Sequence, residues 1–385
     1  MQEDFHYYAT YCAAYLAGYS HEESMEICYS AQLVDLFSKT FIASIKGPLS
    51  AATTQFQAEL LSARTDKVGL QDITRIWSSF HFLPKDLYAE KKKVTKTYLN
   101  KYRLICGPNS ALLEETVRLA KGSSLQAAGI AMHVLADTWA HAYFAGTPSL
   151  VINNTYHHFY EMLPDGTEIK LRFRHNLSDP DDLDDFLFTN SLFRDKETSI
   201  MNLGHGRAGH LPDYSFVKYK YMPAWADYDM IVKDNSSDYM KAFCQMIHAL
   251  KYLRGVNESF ARDVYDTASI EGKEERISSI LTKRRLDACE DWKTFGEELS
   301  GRTIEKFELE KYVPEYTSAP ETEKNNSFLG RFSIAAMAQK SMVTHEIYQS
   351  GNKLAGISVN YEEKGFKGIK DFRHLLNREN GGEDK

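Results

Sequence analysis

Apolar residues recur at three- and four-residue intervals through most of this chain, the spacing of helices that bury one face. The pattern predicts a first helix over about Tyr7–Tyr19, ending near Gly18. Ser20 follows as an N-cap, with Glu23 three residues on completing a capping box. The next helix is expected to run to Ile45 and stop at Gly47-Pro48, and further pieces are expected over Thr53–Arg64, Ile73–Phe80 and Ala111–Lys121. Ser124 opens a helix that reaches toward Gly146 and carries small residues at Ala127, Ala128, Gly129, Ala131, Ala136 and Ala140. Apolar on most sides, it reads as a central, buried helix.

Between Tyr156 and His175 the period falls to two. Glu168-Ile-Lys-Leu-Arg-Phe-Arg alternates after a Pro164-Asp165-Gly166 turn signal, which predicts a β-hairpin inserted at about 156–175. Ser178–Asp185 reads as an acidic loop. Helical spacing returns over Ser237–Leu253, Lys273–Arg285, Asp291–Leu299 and Phe328–Ser350. The expected fold class is therefore all-α, with a small β-hairpin insertion and later helices packed on the core. The last long helix, rich in Ala and Met, serves that packing or a contact with a second copy.

Composition narrows the function classes. A formal net charge of -7 disfavours long nucleic acid as a partner but leaves small phosphorylated substrates open, because bound cations would invert the local sign. The five cysteines form no CxxC pair and read as reduced thiols, which together with the lack of a signal-peptide pattern gives a cytoplasmic expectation. No apolar run is long enough to span a bilayer.

The candidate chemistry starts on the central helix. His133, Asp137 and His141 are spaced by four residues, about 40° of rotation per step, so they share one stripe. Their neighbours Met132, Val134, Leu135 and Trp139 are apolar, and three ionisable groups in that setting need partners. A metal ion bonded to all three meets that need; a closed hydrogen-bond network is the alternative. Further donors lie elsewhere: Asp4 and His6 at the start, Asp35 expected to face the core by helical phase, His81 between Phe80 and Phe82, and His205, His210 and Asp213 in a glycine-rich stretch. Two cations sharing a carboxylate would acidify a water for hydrolysis, with Asp35 orienting it. Arg207 could steady phosphoryl charge, or pair with Asp213 or solvent. Tyr214, Phe216, Tyr219, Tyr221 and Trp225 line a substrate cleft or form a packed wall.

Taken in order, these residues over roughly 1–255 resemble the zinc-dependent phospholipases C and fungal single-strand nucleases, an all-helical superfamily that holds three zinc ions; the resemblance implies a metal-binding domain over 1–255, with 256–385 as a helical extension packed on it. The resemblance implies one ion on Asp35, His81, His133 and Asp137. It implies a second on Asp137 and His6, with Met1 or Asp4 standing in for the family's terminal residue. A third would take His141, one or both of His205 and His210, and Asp213. The implied activity is phosphoester or phosphodiester hydrolysis on a small substrate; the alternative is a non-catalytic metal-binding or interaction module. Phrases such as MQEDFHYYATYCAAYLAGYSHEES also resemble the bacterial family called domain of unknown function 6765, which carries no assigned activity.

Overall fold

The structure, a computed structural model, describes residues 1–56, 59–60, 66–155, 159–174, 188–190 and 204–357, without the side chains of 172–174, 188–190, 204 and 207. It is mainly helical. A π-helical segment, Asp4–Ala9, leads into α1 (Thr10–Leu16), followed by α2 (His21–Leu33), α3 (Lys39–Ser44) and α4 (Lys67–Ile76). A second π segment, Trp77–His81, precedes α5 (Lys96–Tyr102), α6 (Ala111–Ala120), α7 (Leu125–Ala140) and α8 (Leu150–Asn153). After the strands come α9 (Asn235–Arg254), α10 (Glu274–Thr282), α11 (Cys289–Ser300), α12 (Val313–Ser318) and α13 (Phe328–Gln349).

The caps lie where the side-chain chemistry places them. Ser20 accepts from Glu23 N and Glu23 reaches back to Ser20 N, so α2 opens on a full capping box. Ser110 and Ser124 cap α6 and α7 in the same manner. The helix expected to continue to Ile45 instead breaks after Leu33. Ser38 accepts from Phe41 N and starts α3 afresh, so Asp35 occupies the turn between α2 and α3 rather than a helix face. Of the expected Thr53–Arg64 helix, residues 53–56 carry no helix, 59–60 are helical, and 57–58 and 61–64 lie outside the described residues.

Helix α7 is the axis of the molecule. Every residue from Gln126 to Ala140 is buried, enclosed by α2, α6, α9 and α13. Gly129 allows the closest approach: a Cβ there would lie 2.4 Å from Ile27 O and 2.5 Å from Ser30 Cβ. The helix ends at His141, short of the expected Gly146, and Tyr143 then adopts a positive φ of 81° that reverses the chain.

The mainly helical expectation with a hairpin insertion holds, and the β part is larger than a hairpin. The predicted hairpin exists as β1 (Tyr160–Met162) and β2 (Glu168–Lys170), but it extends into a four-stranded antiparallel sheet of order β2-β1-β5-β6, with β5 at Lys218–Tyr221 and β6 at Ile231–Asp234. β3 (Arg172–Arg174) and β4 (Phe188–Asn190) pair separately and in parallel. The signal for β5 was its alternation Lys-Tyr-Lys-Tyr: both tyrosines are buried, Tyr221 between Phe144 and Phe159. The acidic loop expected at Ser178–Asp185 lies outside the described residues.

The C-terminal helices lie against the site-bearing segments. α11 packs on the first π segment, and α13 packs on α7 and on the second π segment. Tyr7 and Tyr29 donate to the carbonyls of Glu305 and Glu308. The described cysteines are all free, and all but Cys289 are buried. No helix among the described residues is long and apolar enough to cross a membrane.

Candidate metal centre

Five separate pieces of chain bring their ionisable side chains to the C-terminal half of α7. The first π segment delivers His6, the turn after α2 delivers Asp35, and the second π segment ends on His81. α7 supplies His133, Asp137 and, at its C-cap, His141. A 3-10 turn at Gly204–Arg207 carries His205, and another at Leu211–Asp213 ends on Asp213. Single π turns inside helices are uncommon and cluster at functional sites; two of them here present His6 and His81.

Asp137 is the hub. Its Oδ2 lies 3.2 Å from His133 Nε2 and 3.3 Å from His81 Nδ1, while those two nitrogens are 3.4 Å apart. Ligand atoms bound at 2.0–2.1 Å around one tetrahedral ion lie about 3.3–3.4 Å from each other, so these three edges match. Asp35 Oδ1 stands 3.8 Å from both nitrogens as a fourth corner. The second oxygen of each carboxylate faces the other way. Asp137 Oδ1 is 3.2 Å from His6 Nε2 and 2.9 Å from the Met1 amino nitrogen, and Asp35 Oδ2 is 3.9 Å from His6 Nε2. Both carboxylates thus span two neighbouring donor groups.

A third group lies beyond Met1. His141, His205 and Asp213 bring one donor atom each within 4.8 Å of one another. Asp213 Oδ1 is 3.4 Å from His141 Nε2 and 3.4 Å from the Met1 nitrogen. His210 stands outside this trio: its side chain is 54% exposed and its Nδ1 is 3.4 Å from Asp213 Oδ2. Arg207 shares the 3-10 turn of His205, but its side chain lies outside the described residues, as does all of Asn202. Asp4 faces away from these groups and accepts from Phe5 N and Ala288 N, fastening the N-terminal segment to the start of α11.

The imidazole tautomers test whether cations fit. His133 donates Nδ1–H to Ala31 O at 2.9 Å, and His81 donates Nε2–H to Thr53 O at 3.0 Å. His141 donates Nδ1–H to His81 O at 2.8 Å, and His205 donates Nδ1–H to Gly209 O at 3.1 Å. A carbonyl only accepts, so in each neutral ring the other nitrogen presents a lone pair. In His133, His81 and His141 that lone pair is aimed at carboxylate oxygen. Lone pair against lone pair at 3.2–3.4 Å is repulsive unless a proton or a metal ion lies between. Metal-ligating histidines show this arrangement, one N–H anchored and the other nitrogen free. His6 goes further: among the described residues neither of its buried ring nitrogens has a partner in hydrogen-bond geometry, although Asp137 Oδ1 lies 3.2 Å from Nε2.

The electrostatics show how sharply the groups depend on one another. Burial lowers the His6 imidazole to about 4, with His133 and the Met1 ammonium adding to the effect against Asp137. Burial likewise lowers His205 to about 4. Burial alone would raise the Asp137 carboxyl, but His141, the Met1 ammonium, His133 and His6 hold it well below its usual range. Asp213 is held low in the same way, against its burial, chiefly by Met1 and His205. The Met1 ammonium, though buried, is pushed up to about 11 because Asp137, Asp213 and Asp35 surround it. It carries positive charge among three carboxylates that would otherwise be underpaired.

Thr53 is the residue that sequence reasoning missed. Its carbonyl fixes the His81 tautomer, and its hydroxyl donates to Val34 O at 2.6 Å, next to Asp35. Only tertiary proximity gives it this role. The tyrosines expected at a cleft divide: Tyr219 and Tyr221 are core residues, while Tyr214, Phe216 and Trp225 are partly exposed. No curated protein and no solved structure shows a match to this chain. The sequence model of the family of unknown function DUF6765 matches residues 1–347, and the chain belongs to that family.

Proposed function

We propose that this protein is a metal-dependent hydrolase, with zinc as the expected ion, that cleaves a small phosphoester or phosphodiester. The observation that carries the reading is the pair of carboxylates, Asp35 and Asp137, each turning one oxygen to His81 and His133 and the other to His6. Imidazole nitrogen with carboxylate oxygen is a donor set suited to zinc. Asp35, His81, His133 and Asp137 would hold one ion, and Asp137, His6 and the Met1 nitrogen a second. His141, His205 and Asp213 would hold a third. Bound there, divalent cations supply an acidified water and neutralise phosphoryl oxygens.

The chain's own residues contribute positioning. Asp137 is 1% exposed and serves as a fixed bridge, whereas Asp35 is 30% exposed and marks the side open to solvent. An accepting carboxylate at that opening is placed to hold and orient an attacking water. Arg207, in the His205 turn, would steady developing charge on the phosphoryl oxygens with its guanidinium. Partly exposed Trp225, edge-on to Tyr102 and tilted against Tyr143, offers an aromatic wall for an organic substituent. The unpaired cysteines fit a reducing compartment, and the cytoplasm is the proposed one.

The test is elemental analysis of the purified chain combined with turnover of bis(p-nitrophenyl) phosphate. The expectation is two or three zinc equivalents and hydrolysis that Asp137→Asn abolishes. Metal without turnover on any phosphodiester probe would assign the centre to a structural role. Absence of bound metal after reconstitution would overturn the reading outright.

A further inference from the structure

We propose that Gln339 and Lys340, neighbours on α13, are positioning residues that set the Asp35–His81–His133–Asp137 donor group from behind; the inference rests on the metal-binding part of the reading above. α13 lies beyond the stretch over which the site residues were recognisable in sequence, yet it packs on the π segment that ends at His81.

That segment leaves a carbonyl without a helical partner. Five residues after Ser79 stands Pro84, which has no N–H to give. Gln339 Nε2 fills the gap, donating to Ser79 O at 3.1 Å and to Thr116 Oγ1 at 2.9 Å, both in the interior. The amide therefore pins the π turn two residues before His81 to helix α6.

Lys340 holds the other side. Its Nζ donates to Ser50 O at 2.8 Å and Ala52 O at 2.6 Å and lies 5.9 Å from the Phe80 ring centroid. Those carbonyls directly precede Thr53, and Thr53 serves both metal-facing neighbours. Its carbonyl takes the His81 Nε2–H, and its hydroxyl holds the Val34 carbonyl beside Asp35. The chain of contacts runs from Lys340 Nζ through the 50–52 backbone to Thr53, and from there to His81 Nδ1 and the Asp35 turn. Its links are direct hydrogen bonds, the one from Thr53 to Val34 O fully buried. Such outer contacts orient a ligand ring and keep its free nitrogen basic, and their loss weakens metal binding roughly 10–100-fold.

The experiment titrates the full chain with Co2+, whose visible absorption reports coordination geometry. Lys340→Met is expected to lower affinity at this donor group about tenfold and to shift the absorption. Lys340→Arg, which can still donate to two carbonyls, is expected to restore most of both. In a chain already carrying His81→Ala, Lys340→Met is expected to cause a clearly smaller further loss, because the ring is gone and only the link to the Asp35 turn remains. Unchanged affinity and spectrum in Lys340→Met would overturn the inference and leave the metal reading standing. A loss that persists undiminished in the His81→Ala chain would overturn it too, reducing Lys340 to a residue that only stabilises the fold. A wild-type chain that takes up no Co2+ removes the metal reading and the inference together. Should Lys340→Met fail to fold, Gln339→Leu carries the same titration.

Discussion

The donor group around His81 and His133 and the group around His141 and His205 use the same residue types but are anchored in different ways. His133 donates to the carbonyl of Ala31 on α2, across the central helix pair. His81 donates to Thr53, in a loop that also grips the turn bearing Asp35. His205 instead donates to Gly209, four residues away in its own turn. The first geometry is thus a property of the whole core, whereas His205 is held by a local loop that can open at little cost to the rest. Under the proposed reading, metal affinity should follow: the helix-borne group is preorganised by folding, and the loop-borne group would be completed by the ion.

The largest effects test this directly. Asp137→Asn removes the bridging carboxylate, so two of the three equivalents of metal are expected to disappear together and turnover to fall about 10³-fold. The substitution also leaves the buried Met1 ammonium short of its nearest carboxylate, at a cost of about 3–5 kcal/mol to the metal-free protein. Asp213→Asn should cost one equivalent and leave the other two. Metal analysis with thermal unfolding of both variants checks the pair; equal losses would show that the groups are a single cooperative unit, and the contrast between them would fall.

The second test uses pH. The folded His6 imidazole titrates near 4 against an ordinary value of 6.5, so the native state binds fewer protons than the unfolded chain between those limits. Stability from this group is therefore complete above about pH 6.5 and lost as pH falls toward 4. A shift of about 2.5 units corresponds to about 3 kcal/mol. In the metal-free protein, His6→Asn should flatten the acid limb of the stability curve by about that amount. Denaturant unfolding at several pH values measures it, and parallel acid limbs in the two proteins would contradict the burial assigned to His6. The Met1 ammonium has the opposite sign: raised to about 11 from 8.0, its contribution is full below pH 8 and fades on the alkaline side.

How far the sequence alone reached follows the same division. His133, Asp137 and His141 were legible because a helix turns spacing into direction, and the whole stretch from Gln126 to Ala140 is buried as its composition implied. His81 and His6 could be identified as donors, but not their π-helical backbone, which no period reveals. Asp35 was assigned to a helix because its neighbours keep helical spacing; Ser38, capping a new helix, ended the old one sooner. In the glycine-rich stretch the sequence could not separate His205 from His210, since glycine leaves the backbone direction open. The structure turns His205 inward and leaves His210 half exposed. β5 carries a short Lys-Tyr-Lys-Tyr alternation, whereas β6 becomes a strand only by pairing with it.

Gly129→Ala offers a more moderate test of the helix-borne group. The added methyl would meet Ile27 O and Ser30 Cβ at 2.4 and 2.5 Å, forcing α2 away from α7. A destabilisation of about 1–3 kcal/mol is expected. Because α2 leads directly to Asp35 and α7 carries His133 and Asp137, affinity at their shared ion should fall with it. The His141–His205–Asp213 group lies beyond the far end of α7 and should keep its affinity. Loss at the loop-borne group alone would reverse the assignment of which is tied to the core.

Ser20→Ala is expected to have the smallest effect, and it shows whether loss of stability by itself disturbs the site. Ser20 and Glu23 satisfy each other's backbone N–H at the start of α2, and removing the hydroxyl costs about 1 kcal/mol. The capping box stands at the opposite end of α2 from Asp35, thirteen helical residues away. Helix fraying at an N-terminus is confined to the first turn, whereas the contact at Ile27 and Ser30 that seats α2 on α7 lies well inside the helix. Thermal unfolding should therefore register the change while Co2+ affinity at every donor group stays that of the wild-type chain. If affinity fell in Ser20→Ala as it does in Gly129→Ala, the helix pair would be transmitting general softness rather than local geometry. The argument that core packing at Gly129 sets the first donor group would then lose its support.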